Sequence, residues 1–221
     1  MENRIDIEQL LGEQHSKVTE KQIQIIEAAT TLFAQKGYAA TSTKEIAALA
    51  HVAEGTIFKQ YATKEDLFLT IMQMTLQNIL YPVFSTGIDE LVQKEYASLE
   101  EALQTFLQNR LMILKSGTLP LLAVKMVIQE LPYWPAVQEQ LADLLRQVPI
   151  EALIVRLQQQ GLIVQWPPQT VSKLLLSAMM GFLSTRFLLL PQYFAGNLEQ
   201  DMEYWVRLMT KALAVEGSEG E

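Results

Sequence analysis

The chain has 221 residues, 49% of them hydrophobic, with a formal net charge of −8, two histidines and no cysteine. There is enough apolar material for a large core, while disulfides, thiolate metal sites and a cysteine nucleophile are excluded. His15 and His51 stand far apart and form no ligand cluster, so neither a metal nor a cofactor is expected. The charged start MENRIDIEQLLGEQHSK is unlike a secretory signal. No apolar run reaches the length of a membrane span, because the richest, Leu174 to Leu190, is interrupted by Ser177, Ser184 and Arg186. These features predict a reduced, cytoplasmic protein without a membrane partner.

In chain order, residues 1–18 read as a mobile arm, in which Ile7, Leu10 and Leu11 could form one amphipathic turn. A helix is predicted over Glu20–Lys36, with Ile23, Ile26, Ala29, Leu32 and Phe33 on one stripe and Gly37 at its C-terminal cap. Ser42 and Glu45 have the spacing of a capping box. Ile46, Ala47, Leu49 and Ala50 then give a short helix a small apolar face. His51-Val52 makes a turn, and Gly55 to Tyr61 forms a second short helix with Ile57 and Tyr61 directed inward. That length, turn and inner face are those of a helix-turn-helix over residues 42–61. Thr63 caps a further helix whose first turn carries Glu65 and Asp66. Its apolar residues, continuing to about Pro82, lie on more than one face, so it is predicted to connect two halves of the protein. Beyond Gly87 the predicted helices are Ile88–Tyr96, Leu99–Lys115, Leu119–Glu130, Pro135–Gln160 (bent or divided at Pro149), Gln169–Leu190 and Leu198–Ala214. No strand pattern or internal repeat appears, and the fold class is all-α.

From Ile23 to Met72 the chain resembles the DNA-binding domain of the TetR/AcrR family of transcriptional regulators. The matching residues are Ile26, Ala28-Ala29 and Phe33 before Gly37-Tyr38; Thr41-Ser42 before Ile46-Ala47; and Ala50, Val52, Gly55-Thr56-Ile57-Phe58, Tyr61, Lys64-Glu65 and Leu67. The resemblance implies a homodimeric, ligand-responsive regulator, most often a repressor, that binds a double-stranded DNA operator. It also implies a three-helix helix-turn-helix domain, here residues 19–79 with the connecting helix. An effector-binding and dimerisation bundle over 80–215 and an acidic tail over 216–221 would follow. The formal charge fits this division only partly. Residues 17–68 hold six lysines and six acids, so the excess of negative charge lies elsewhere, but the domain lacks the strongly basic face usual in nucleic-acid binders.

The N-terminal part of a recognition helix enters the major groove. This puts Glu54, Thr56, Lys59 and Gln60 near base edges or phosphates, and Gly55 where the backbone approaches closely. Gln60 could read adenine and Lys59 guanine, while Glu54 either accepts from cytosine or faces solvent. The resemblance adds phosphate contacts from Thr41, Ser42, Thr43, Lys44 and Lys64. The sequence departs from the family pattern in three places: His51 replaces a glycine, Ala53 replaces a Ser or Thr cap, and Phe58 stands where the family often has tyrosine.

In the C-terminal half, Met112, Met126, Trp134, Trp166, Met179, Phe182 and Phe187 are bulky enough to line an apolar effector pocket, or else are plain core. Arg110 and Arg186 would serve as surface or ion-paired residues, or meet an anionic ligand group. The last two helices are apolar over much of their surface. Paired about a two-fold axis, they would make a four-helix dimer interface with Leu175, Met179, Phe182, Met202, Trp205, Val206 and Met209. No catalytic residue is expected, because nucleophile, phosphate-loop, zincin and dinucleotide motifs are all missing. Adjacent acids such as Asp89-Glu90 diverge on a helix instead of sharing a site. The competing readings are an all-helical protein–protein adaptor, which leaves the capped helix-turn-helix unexplained, and a regulator that uses its ligand as corepressor.

Overall fold

The computed structural model describes the backbone of residues 2–13, 18–114, 118–190 and 192–215, and their side chains apart from 2–6, 109–118 and 187–188. The acidic tail expected at 216–221 lies outside the described residues, as does His15. Among the described residues the secondary structure is helical throughout, with no strand. The chain divides into two compact units. The first comprises residues 1–83 and 113–147, and the second 84–112 and 148–221.

In the first unit, α1 (Glu2–Leu11), α2 (Glu20–Lys36), α3 (Thr43–Leu49), α4 (Glu54–Phe58) and α5 (Lys64–Thr75) are followed by α9 (Thr118–Glu130) and α10 (Pro135–Gln147). The intervening helices are α6 (Tyr81–Ser85), α7 (Ile88–Gln93) and α8 (Leu99–Leu114). Helix α2 has the boundaries expected from its periodicity. Its Thr19 cap and Gln22 form a capping box, and the Gly37 N–H donates to the Phe33 carbonyl across a φ of +81°. Helix α9 is the packing hub, touching α1, α2 and α5. Its sequence TLPLLAVKMVIQE is apolar on several faces, and Ala123, Val124, Met126 and Val127 are buried.

The arm expected at 1–18 is in fact structured over its first part. Ile7, Leu10 and Leu11 are buried to 2% exposure or less, and α1 packs on α9 and on the π-helical turn Leu76–Leu80 that continues α5. At the end of α1, the Asn78 Nδ2 donates to the Leu10 carbonyl at 2.9 Å, satisfying a group the helix leaves unpaired. Gly12 follows at φ +56°, where a Cβ would stand 2.8 Å from the Asn78 side chain, so both backbone and space call for glycine.

The helical stretch from Lys64 to Gln93, broken by a turn at Thr86-Gly87, meets the length and mean hydropathy (1.3) of a membrane span, although none was expected from sequence. Within the most apolar window 61% is buried in the protein, and α5 packs against α1, α2 and α9. It is therefore a core helix by its contacts.

The second unit contains α7, α8, α11 (Ile150–Gln159), α12 (Pro168–Ser184, extended by a π-helical turn Thr185–Leu189) and α13 (Leu198–Leu213). Pro149 divides the long 135–160 segment as expected, because it lacks the N–H a continuous helix would use. Ile150, Leu153, Ile154 and Leu157 bury one stripe of α11, which packs on α7 and α12. Across the unit, the Val164 N–H donates to the Leu213 carbonyl at 2.8 Å.

The expected dimer residues need correction. Leu175, Met179, Trp205 and Val206 are buried within the single chain and leave no surface for a partner; Phe182, Met202 and Met209 are half-buried. The apolar side chains that α12 and α13 expose are instead Leu174, Tyr204 and Leu208. An all-round apolar helix does not say which of its faces meets its own core, so sequence located the helices but not the free face.

The boundary expected at residue 79/80 also differs from the observed division. Residues 113–147 pack with the N-terminal helices because α9 and the start of α10 complete the core around Phe33 and Phe68, described next.

Candidate nucleic-acid interface

Helix α3 opens with the expected capping box. Ser42 Oγ accepts from the Glu45 N–H, and the Glu45 carboxylate accepts from the Ser42 N–H at 3.0 Å and its hydroxyl at 2.9 Å. Lys36 at the end of α2 meets the same carboxylate at 2.5 Å. The Lys36 ammonium, followed by the Ser42 donors, lowers the Glu45 carboxyl from 4.5 to about 2. The helix ends at His51, whose φ of +54° is the only positive value outside glycine among the described residues. The Val52 N–H reaches back to the Ala47 carbonyl at 3.0 Å. His51 thus fills the left-handed position that favours glycine, as the departure at this turn required.

Helix α4 has no side-chain cap, as expected from Ala53. Ile57 is fully buried beneath it, and Tyr61 is half-buried with its hydroxyl pKa raised by desolvation. Opposite, Glu54, Gly55, Phe58 and Lys59 are exposed, and Thr56 is partly so. Lys44 is exposed at the start of α3, and neither it nor Lys59 forms an ion pair among the described residues. Gly55 has no positive φ, and a Cβ there would meet nothing within 4 Å. The protein itself makes no demand for glycine at that position.

Several side chains expected to touch DNA are otherwise engaged. Thr41 is 2% exposed, and its hydroxyl donates to the Gly37 carbonyl at 2.8 Å, so it braces the loop between α2 and α3. The Lys64 ammonium donates to the carbonyls of Tyr38 and Thr41, each at 2.8 Å, and lies 4.2 Å from the Tyr38 ring centroid. It holds the same loop. The Thr43 hydroxyl gives its one proton to Glu54 Oε1 at 2.6 Å, which leaves none for a phosphate and ties the openings of α3 and α4 together. The Gln60 amide oxygen is buried without a hydrogen-bond partner among the described residues. Bidentate pairing with adenine needs that oxygen at the surface. Ser42 is exposed but occupied with its capping box.

Two contacts missed in the sequence support the reading unit from α9 and α10. Glu130 Oε1 accepts the Tyr38 N–H at 2.7 Å. Trp134 meets Tyr38 edge to face at 5.1 Å and lies tilted 4.9 Å from Phe68, which in turn lies 5.2 Å from Phe33. These partners are 92 or more residues from Tyr38 in sequence and carry no local signal.

The expected pocket residues are divided between the two units. Trp134 belongs to that aromatic cluster, and Met126 is buried in the core of the first unit. In the second, Met179 is core and Trp166 is half exposed. Met112, Phe187 and Arg110 have side chains outside the described residues. Only Phe182 borders a described cleft, of about 450 Å³, walled by Tyr193, Phe194, Tyr204, Trp205 and Leu208. Arg186 in that cleft pairs with Asp201 at 3.0 Å and donates to the Gly196 carbonyl at 2.7 Å, so the ion-paired reading of Arg186 holds. Among the described residues no group of acids and histidines could hold a metal.

A capped helix joined by a tight turn to a second short helix that exposes one side is a helix-turn-helix. Residues 25–71 match the family model for bacterial regulatory proteins, tetR family. The HTH-type transcriptional regulator YvkB from Bacillus subtilis is 43% identical over 54 residues, which are 24% of this chain and 29% of that protein. The HTH-type transcriptional repressor Rv3405c from Mycobacterium tuberculosis is 49% identical over 43 residues, 20% of this chain and 23% of that protein. The matched segments thus span less than a third of either curated relative. The fold extends further: the fatty acid degradation regulator FadR from Bacillus halodurans aligns with a TM-score of 0.62 at 16% identity, over 92% of this chain and 99% of that one. Residues 25–71 thus carry a DNA-binding domain of the tetR family type, the chain as a whole shares the fold of solved TetR-family structures, and the proteins it resembles are regulators.

Proposed function

We propose that the protein is a homodimeric repressor that binds a palindromic operator and leaves it when a small, largely apolar ligand binds its second helical unit. The observation that carries the DNA reading is the exposed side of α4. It combines Lys59, without an ion pair among the described residues, a glycine the protein does not need and the half-exposed ring of Phe58, on a helix that Thr43 ties to the capped α3. Lys44 and Lys59 supply phosphate or base contacts, and Gly55 admits the DNA closely. Gln60, with its amide oxygen buried, and Lys64, whose ammonium holds loop carbonyls, are given no part in the DNA contact.

Dimerisation is proposed through the exposed apolar side chains of α12 and α13. Gly181, exposed on α12 with open space at its Cβ, lets a second helix come close. A dimer would place two recognition helices against half-sites one DNA turn apart, roughly 34–36 Å. Ligand release would act as a population shift. Within the first unit, Glu130 and Trp134 link α9 and α10 to the loop carrying α3, so a displacement of α9 would move the reading helices.

The test is selection of duplexes from a random pool by the purified full chain at moderate salt. Enrichment of one palindrome is expected. A folded protein that enriches no sequence would contradict the reading and favour the adaptor.

A further inference from the structure

Phe58 is 48% exposed on α4, while its neighbour Ile57 is fully buried, so the ring stands on the side turned away from the core. About half of the phenyl ring stays open to water on a five-residue helix without a side-chain cap, and that apolar surface gains free energy when something outside the chain covers it. Gly55 lies one helical turn earlier on the same side, and the space a side chain would fill there is empty. The backbone at that turn can therefore approach a surface closely enough for the following ring to reach it. The polar groups nearby compete little for the same place, since Glu54 is held by Thr43 and the Gln60 amide oxygen is buried.

A phenyl ring neither donates nor accepts a hydrogen bond. Among the base edges in the major groove, the thymine C5-methyl is the apolar feature it can match; the other edges present donors and acceptors. We infer that Phe58 is a specificity-determining residue that packs on a thymine methyl group in each half-site. This rests on the DNA-reading function proposed above and adds to it the base chosen and the group read.

The experiment uses the operator duplex selected by the wild-type chain. Each thymine is replaced in turn by uracil, which removes the methyl and nothing else, and binding is measured for wild type and Phe58→Ala. At one thymine per half-site, uracil should weaken wild-type binding by about fourfold, the size expected for one methyl group hidden from water. The same replacement should leave Phe58→Ala binding unchanged, with circular dichroism showing the variant folded. Indifference of the wild type to every uracil, or a uracil effect that persists in Phe58→Ala, would overturn the inference while leaving DNA binding intact. A wild-type chain that selects no sequence at all would overturn the DNA reading and this inference together.

Discussion

At the scale of single residues, charge alone misassigns Lys64. Its place at the start of α5 fits a phosphate contact, yet its ammonium closes on two loop carbonyls and an aromatic face. Lys64→Met keeps the aliphatic stem and removes those bonds. Because the site is partly solvated, the loss of stability should be about 1–2 kcal/mol, below the full range for hydrogen bonds to a charged group. The slope of log affinity against log salt should stay as in wild type. A slope reduced by about 0.9, the value for one lost phosphate contact, would restore the phosphate role.

Glu45 makes a pH-dependent contribution at the same scale. Its carboxyl is held at about 2 in the folded chain against 4.5 ordinarily. A depressed carboxylate stabilises fully above the unfolded value, and the contribution is lost as pH falls through the folded one. The Glu45 side-chain carbon signal should therefore be that of an ionised carboxylate at pH 3.5. A titration midpoint near 4 would mean that the Lys36 pair does not persist in solution.

The capping serine, the glutamate three residues later, the uncapped Ala53 and the strained position at His51 were all legible, because each depends on neighbours within one helical turn. The engagement of Thr41, Gln60 and Lys64 was not. Whether a polar side chain points out or folds onto a carbonyl depends on groups brought close by tertiary packing, and their sequence pattern is the same in either case.

At the scale of elements, helix limits followed from caps and prolines. Thr63 opens α5 with a capping box completed by Asp66, and Pro149 separates α10 from α11. Helix α1 was the main element missed. Its three apolar residues make a weak periodic signal, and the groove that receives them is formed by α9 and the π-helical turn, far along the chain. Its contribution can be measured directly. Leu10 is fully buried, so Leu10→Ala should lower unfolding stability by about 2–5 kcal/mol. A denaturation midpoint equal to wild type would mean that α1 is not docked in solution.

At the scale of the whole molecule, the two units differ in how far sequence reaches. The reading unit is dense with short-range signals and matches the family over residues 25–71. The second unit offers apolar helices whose buried and free faces sequence does not separate. In the proposed dimer the free face includes Leu208, which is 61% exposed. Leu208→Glu places a charge there without disturbing the chain's own core. The variant should remain helical, sediment as a monomer where wild type sediments as a dimer, and lose operator affinity. An unchanged dimer would move the interface elsewhere.

The central claim is that the exposed side of α4 reads DNA, and Gly55 tests it most directly. Nothing inside the protein needs glycine there, so Gly55→Leu should leave the unfolding midpoint unchanged or slightly raised. Titrating this variant against the operator selected by wild type, we expect affinity to fall to the level shown for random duplexes. Wild-type affinity in a folded Gly55→Leu protein would contradict the account, because no DNA could then be lying against that side of the helix.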